Sequence, residues 1–293
     1  MGKASTLLRL TARLAVMFPI AALLFALPAL AAGTPTPSLG SAGSFAVLAG
    51  TAVTCTDSTV NGDVGVFPGT SVTQTSCVVN GTIHAGDGVA KQAQSDFQSA
   101  YSAFGALTCT QTVTGTLAAV TLTPGIICID STAKTGLLTL DAQGNANAVF
   151  IFKVFPSATG ALTGTNFSVV MANGGSACNV YWWVPTAVTM TTSNFLGTIL
   201  AGTSITVTGP GTFDGRALAK VAVTLTGVTL TGCVAGHGNG NGNDNDKVHC
   251  NQGVGNGPGG CDPGNSNQGD PSRSNDELGG TPGDPGRQGG NGK

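Results

Sequence analysis

Leu48-Ala-Gly-Thr-Ala-Val-Thr-Cys-Thr-Asp-Ser-Thr-Val-Asn-Gly-Asp-Val64 is a phrase that the chain repeats with variations. Residues 69–83 read Gly-Thr-Ser-Val-Thr-Gln-Thr-Ser-Cys-Val-Val-Asn-Gly-Thr-Ile. Residues 200–217 read Leu-Ala-Gly-Thr-Ser-Ile-Thr-Val-Thr-Gly-Pro-Gly-Thr-Phe-Asp-Gly-Arg-Ala. Gly50 and Gly69 set the first two copies 19 residues apart, and Leu200 and Leu218 open another pair offset by 18. A period near 20 made of short β-type runs predicts a stack of coils, in which each repeat buries its apolar side against its neighbours. Stacking places equivalent residues in straight ladders.

Aligned on the shared glycine or its equivalent, Val53, Val72, Val188, Ile205 and Val223 fall in one column. Side chains alternate along a strand, so if that column points inward the next points out. The outward column holds Thr54, Thr73, Thr189, Thr206 and Thr224. Two residues on stand Thr56, Thr75, Thr191, Thr208 and Thr226. Thr51, Thr70, Thr186 and Thr203 open the same segments. A single exposed Thr on a strand is ordinary, because Thr favours strands. Ten in register, almost without the Lys, Glu, Arg and Gln that normally keep such faces soluble, point to a regular partner. Hydroxyls in ranks anchor ordered water, while the methyls limit strong hydration.

The bulk composition agrees. The 293 residues carry 12 Lys+Arg against 14 Asp+Glu, net -2, which argues against a nucleic-acid-binding surface. Glu277 is the only glutamate. Between residues 34 and 235 the acids are Asp57, Asp63, Asp87, Asp96, Asp130, Asp141 and Asp214, scattered along the chain. A β-solenoid lyase or hydrolase needs clustered carboxylates, bases or Ca²⁺, so enzymatic activity is not expected. Trp182 and Trp183 are adjacent and must face opposite ways on a strand, so they do not form one sugar-stacking platform. Asp63 and Asp214 beside glycines read as turn chemistry, and His84 as a local hydrogen-bonding group.

Lys3, Arg9 and Arg13, the apolar run Leu14–Leu27 and Ala29-Leu30-Ala31 form a secretory signal over residues 1–31. A linker at 32–38 follows. Asp87 to Phe104 lacks proline, is rich in Ala and Gln, and spaces Val89, Ala93, Phe97, Ala100, Tyr101 and Phe104 as an amphipathic helix. Asp87 is its expected cap and Gly105 its expected stop. Val149-Phe-Ile-Phe reads as a strand buried on both faces. After Ala235 the apolar residues nearly vanish, so 236–293 is expected to be a disordered tail. Eight cysteines in an exported chain suit disulfides. Their spacing suggests Cys55–Cys77, Cys109–Cys128 and Cys250–Cys261, leaving Cys178 and Cys233, although spacing alone does not fix connectivity. No CxxC accompanies His84, His237 or His249, and no metal or cofactor is expected.

Residues 39–233 resemble the microbial ice-binding protein family, the ice-binding-like domain. The matching stretches begin with Leu39-Gly-Ser-Ala-Gly-Ser-Phe-Ala-Val-Leu-Ala-Gly, Val60-Asn-Gly-Asp-Val-Gly-Val and Pro68-Gly. They continue with Gly81-Thr-Ile-His-Ala, Leu122-Thr-Pro-Gly, Leu138-Thr-Leu-Asp-Ala-Gln-Gly and Ala148-Val-Phe-Ile-Phe. Cys178-Asn-Val-Tyr-Trp, Phe195-Leu-Gly-Thr-Ile-Leu-Ala and Phe213-Asp-Gly-Arg-Ala-Leu-Ala complete them. The resemblance implies a mainly β fold: a discontinuous, right-handed parallel β-helix (β-solenoid) of triangular section over residues 39–235, with one long α-helix packed alongside. It also implies that N- and C-terminal segments are neighbours in the stack.

The implied function is adsorption to ice, giving thermal hysteresis or inhibition of recrystallisation. Some members carry a Thr-Ala/Gly-x-Thr/Asn pattern on the ice-binding face. Here it occurs at 51–54, 132–135, 163–166, 186–189 and 226–229, and Lys134 sits oddly inside the second copy. The candidate ice-binding residues are therefore Thr51, Thr54, Thr56, Thr70, Thr73, Thr75, Thr186, Thr189, Thr191, Thr203, Thr206, Thr208, Thr224 and Thr226. The expected partner is an ice crystal surface, met by a secreted or cell-surface monomer that binds no nucleic acid and, once its signal is cleaved, no membrane. The alternative is an adhesin or matrix protein on the same fold. Sequence leaves open which solenoid face the helix covers.

Overall fold

The computed structural model describes residues 36–154 and 160–233. After a 3-10 turn at Gly40–Ser44 the chain enters β1 (Phe45–Ala49) and winds through β2 (Ala52–Thr56), β3 (Thr59–Asn61), β4 (Asp63–Val66), β5 (Ser71–Thr75), β6 (Val78–Asn80) and β7 (Ile83–Ala85). The helix α1 (Gly88–Ala106) follows. Then come β8 (Gln111–Val113), β9 (Val120–Leu122), β10 (Gly125–Ile129), β11 (Lys134–Asp141), β12 (Phe150–Val154) and β13 (Leu162–Ala172). The last strands are β14 (Val180–Val184), β15 (Val188–Thr191), β16 (Phe195–Ala201), β17 (Ile205–Ala219) and β18 (Ala222–Thr231).

Every strand pairing is parallel, and the pairings form three ladders. The first runs β5–β2–β18–β17–β15–β13. The second runs β6–β3–β18–β17 and, at its far end, β13–β11–β9. The third runs β7–β4–β1–β17–β16–β14–β12–β10–β8. This is a parallel β-helix with three faces. It is discontinuous, as the resemblance implied. The chain starts in mid-stack, winds to one end at β7, and resumes at β8 on the far side of the stack. It then winds back until β18 slots between β17 and β2.

The helix covers the third face. Phe97, Tyr101 and Phe104 pack with Phe45, Leu48, Leu200, Leu218, Ile151 and Ile126 in one buried cluster. Asp87 caps the helix as expected, accepting the Ala90 N–H at 2.8 Å. Two expectations need correction. The apolar stripe begins at Ala90, while Val89 lies on the exposed side of the same turn. Gly105 does not stop the helix, which runs on to Ala106 and is capped at Leu107. Gly105 is instead a packing glycine: a Cβ there would lie 3.0 Å from the Trp183 ring. Lys153, buried beneath this end, donates to the carbonyls of Gly105 (2.7 Å) and Leu107, which are otherwise free at a helix C-terminus.

The interior is filled by the inward columns. Trp182 is buried and stacks on Phe152 with centroids 3.9 Å apart, while Trp183 faces the helix and donates its indole N–H to the Tyr101 carbonyl at 2.9 Å. The two tryptophans do face opposite ways. Cys55–Cys77, Cys109–Cys128 and Cys178–Cys233 are bonded, with Cα separations of 5.7, 5.7 and 5.5 Å. The Cys250–Cys261 expectation, the signal segment and the tail lie outside the described residues. So do residues 155–159.

Candidate functional site

The first ladder brings the threonines together. Thr73, Thr54, Thr224, Thr206 and Thr189 are successive register partners, and a sixth, Thr163 of β13, follows Thr189. The next outward column reads Thr75, Thr56, Thr226, Thr208, Thr191 and Thr165. Beneath them Val53, Val223, Ile205, Val188 and Leu162 are buried and fix the direction in which the threonines point. Twelve threonines therefore stand in two straight ranks over six strands. No charged side chain interrupts either rank, and neither rank lies under the helix, whose cluster belongs to the third ladder.

Thr163 and Thr165 were absent from the sequence alignment because their coil does not repeat the Leu-Ala-Gly-Thr phrase. The signal was present in Thr163-Gly-Thr-Asn166, which repeats the outward-inward-outward alternation with Gly164 as its inward residue. A Cβ on Gly164 would meet the Met190 sulfur at 2.5 Å, so the small inward residue makes room for Met190.

Thr51, Thr70, Thr186 and Thr203 occupy a different place. They line the corner between the helix-covered face and the threonine face, where Val221 fills the corresponding position of β18's coil. The Thr51 N–H and hydroxyl both donate to the Val221 carbonyl, at 2.7 and 3.0 Å. Thr186 does the same to Gly160, its hydroxyl at 2.9 Å. Thr203 N–H donates to Thr186 O, and Val221 N–H to Thr203 O. These residues stitch one coil to the next, and the hydroxyl protons of Thr51 and Thr186 are already committed to the backbone.

The remaining Thr-x-x-Thr copies divide. Thr226 belongs to the threonine face, but Thr229 lies past the corner on the second face, because Gly227 turns the chain with φ +66°. The 132–135 copy is not in the grid. Lys134 is fully buried and points inward, where its ammonium donates to Gly115 O at 2.7 Å and to Asp130 Oδ1 at 2.6 Å. Burial pushes the Asp130 carboxyl up. The hydrogen bonds from Lys134, the Gly115 N–H and the Thr132 hydroxyl outweigh that effect and hold its pKa at about 2. His84 meets Asp87 at 2.7 Å, a local contact as expected. The Asp87 carboxyl lies below its usual range, chiefly through the Ala90 N–H and then His84.

Among the described residues no group of three or more His, Cys, Asp or Glu is placed to hold a metal ion. The site offers hydroxyls and methyls at fixed intervals. Strands in a ladder stand about 4.8 Å apart, and residues i and i+2 about 6.7 Å apart, so six coils make a field about 24 Å tall. β-Branched Thr has few rotamers on a strand, so those positions are held before any ligand arrives.

Comparison with known proteins agrees with this geometry. Residues 47–231 match the model of a family described as ice-binding-like. The chain is 40% identical over 188 residues to an ice-binding protein of Nostoc sp. (strain HG1), which covers 62% of this chain and 68% of that protein. It is 34% identical over 118 residues to an ice-binding protein of Flavobacterium frigoris (strain PS1), covering 40% of this chain but only 41% of that protein. Among solved structures, an ice binding protein from an Antarctic biological consortium superposes with a TM-score of 0.63 and 36% identity, over 70% of this chain and 95% of that one. With a family match spanning most of the described coils, this chain belongs to the ice-binding-like family.

Proposed function

We propose that the protein adsorbs to ice through the field of threonines on the first ladder, and that it does so without catalysis. The observation that carries this reading is the register itself. Thr73-Thr54-Thr224-Thr206-Thr189-Thr163 and the parallel rank two residues on form an uncharged, repeating surface with rigid backing. A surface of this kind holds water in a repeating arrangement, with hydroxyls as anchors and methyls preventing a disordered hydration shell. Because the side chains are held in place beforehand, little ordering entropy is lost on contact with a crystal. The twelve threonines of the two ranks are the contact residues. Thr70 and Thr203 edge the field, and Thr51 and Thr186 hold its corner.

The partner is an ice crystal surface. Nucleic acid and membrane have no part in this reading, and a single copy of the chain carries the whole field. The leader at 1–31 directs export, 32–38 is a linker, 39–235 is the ice-binding domain, and the 236–293 tail lies outside it. Three disulfides support an extracellular location.

The test is thermal hysteresis and recrystallisation inhibition by the purified chain, beside Thr206→Tyr. A phenol ring in the middle of the field should sharply reduce both effects and leave the circular dichroism spectrum unchanged. Full activity in the folded variant removes this face. An inactive parent protein returns the adhesin reading.

A further inference from the structure

We propose that the second face carries a smaller strip that also adsorbs to ice, next to the corner it shares with the main field. The inference rests on the ice-adsorption reading above.

The strip is built by the same rule. Past the corner, Val78, Thr59, Thr229 and Thr212 are successive register partners on β6, β3, β18 and β17. Two residues on stand Asn80, Asn61, Thr231 and Asp214 in the same order. Between the two ranks Val60, Leu230 and Phe213 are fully buried, which turns the ranks outward. The face therefore repeats Val-x-Asn, Thr-x-Asn, Thr-x-Thr and Thr-x-Asp along the stack, at the spacings of the main field.

Its polar side chains are held by one another. Asn80 Nδ2 donates to Asn61 Oδ1 at 2.8 Å, and Asn61 Nδ2 reaches the Thr231 hydroxyl at 3.5 Å. In the next coil, Asn194 Oδ1 accepts both the N–H and the hydroxyl of Thr212, at 3.1 and 3.2 Å. These bonds fix the rotamers, as packing and branching fix those of the main field. Each amide still has hydrogen-bonding capacity to spare, since an Asn offers two donors and two acceptor sites. The helix lies over the third face and leaves this strip open. Asp214, the only charged side chain in the two ranks, marks the boundary of the uncharged patch.

The chain bends between the fields at Asp57, Ser76 and Gly227, all in the left-handed region. The two strips therefore face different directions and meet different crystal planes. The chain is in effect two-faced, with a six-strand main field and a minor strip of three to four strands.

The experiment labels the full chain with a fluorophore and grows a single ice crystal hemisphere in its presence. Wild type, Thr206→Tyr, Thr229→Tyr and the double variant are compared. Thr206→Tyr should lose one set of labelled planes and keep a weaker second set. Thr229→Tyr should lose that second set, and the double variant should label none. If Thr206→Tyr is folded and labels no plane, the minor strip is refuted while the main field stands. Identical plane patterns for Thr229→Tyr and wild type refute it equally. A wild-type chain that labels no plane overturns the functional reading itself. Thr54→Tyr and Thr59→Tyr, on the neighbouring β2 and β3 strands, replace either single variant that fails to fold.

Discussion

The Ser58 hydroxyl accepts the Val228 N–H at 3.1 Å, joining residues 170 apart in the chain. The same hydroxyl donates to the Thr56 carbonyl at 2.7 Å, so it links both sides of one corner. Ser193 repeats the arrangement at the same corner three coils along the stack, donating to Thr191 O and accepting the Phe167 N–H at 3.2 Å. These buried serines set the level of the threonine ranks on either side of the discontinuity, since Thr56 and Thr226 are register partners just before the corner. Ser58→Ala leaves the Val228 N–H without an acceptor inside the corner. An unpaired buried N–H costs about 1–3 kcal/mol. At roughly 2–4 °C per kcal/mol for a domain of this size, that lowers the melting temperature by roughly 2–12 °C, read by thermal unfolding.

The field should also show a gradient of sensitivity. Thr206 lies in the interior of the six-strand ladder, whereas Thr163 lies on its last strand. A bulky side chain in the middle holds the whole face away from a flat partner, while one at the rim leaves most of the field able to make contact. Thr163→Tyr is expected to retain a large part of the hysteresis that Thr206→Tyr loses. Equal loss in both variants would mean that contact is not made by a rigid plane. Thr51→Val addresses a different group: its hydroxyl is spent on the Val221 carbonyl, so stability should fall while ice activity per folded molecule stays the same.

Much of this arrangement was legible before any coordinates. A Thr-x-Thr with a β-branched residue beneath it is a local pattern, and five of the six strands of the field follow from it. The helix was legible from periodicity for the same reason. What stayed hidden was non-local. Insertion of β18 between β17 and β2 depends on pairing between distant coils, which no local pattern encodes and only the family resemblance suggested. The sixth strand was hidden because its inward position is Gly164, chosen to fit Met190, so its apolar signal is weak. Lys134 rightly set the 132–135 copy apart, but its burial was hidden because a lysine reads as exposed, whereas Gly115 O and Asp130 Oδ1 supply two oxygen partners inside.

That buried pair gives the fold a pH dependence. Asp130 has its folded-state pKa depressed to about 2, below the ordinary value of about 3.9 for an unfolded Asp. A depressed carboxylate pKa stabilises the fold above the unfolded value, and the contribution disappears as pH falls through the folded value. The stabilisation from Asp130 is therefore complete near neutrality, declines below about pH 4, and is gone near pH 2. Asp130→Asn leaves the fully buried ammonium without its counter-charge. Removing one partner of a buried pair costs about 3 kcal/mol. The difference in unfolding free energy between wild type and Asp130→Asn should be large at pH 7 and should shrink as pH falls towards 2. A constant difference would show that the carboxylate does not carry the effect.

Arg216 holds the discontinuity closed from the opposite corner. Its Nε donates to Gly43 O at 2.8 Å, Nη1 to the Thr198 hydroxyl at 3.2 Å, and Nη2 to Cys233 O at 2.6 Å. Gly43 lies just before the first strand and Cys233 just after the last, so one side chain ties the two ends of the described solenoid to its middle. A guanidinium is suited to this because its donors form a rigid planar fork, and burial lowers its high pKa without a nearby carboxylate to compensate. Lysine supplies the charge but only a single point of donation, and it does not span three acceptors on separate segments. Arg216→Lys should destabilise the chain by about 2 kcal/mol, the scale of hydrogen bonds from a charged donor. The loss should be local as well as global. Hydrogen exchange should quicken in β18 and β1, whose neighbours have lost their tie, and stay slow in β12, which pairs with β10 and β14 far from the seam. Ice activity should fall with it, because β18 supplies Thr224 and Thr226 to the centre of the field and a loosened strand breaks the register of both ranks. Uniform acceleration of exchange across β12 and β18 would instead make Arg216 a general contributor to stability with no special hold on the seam.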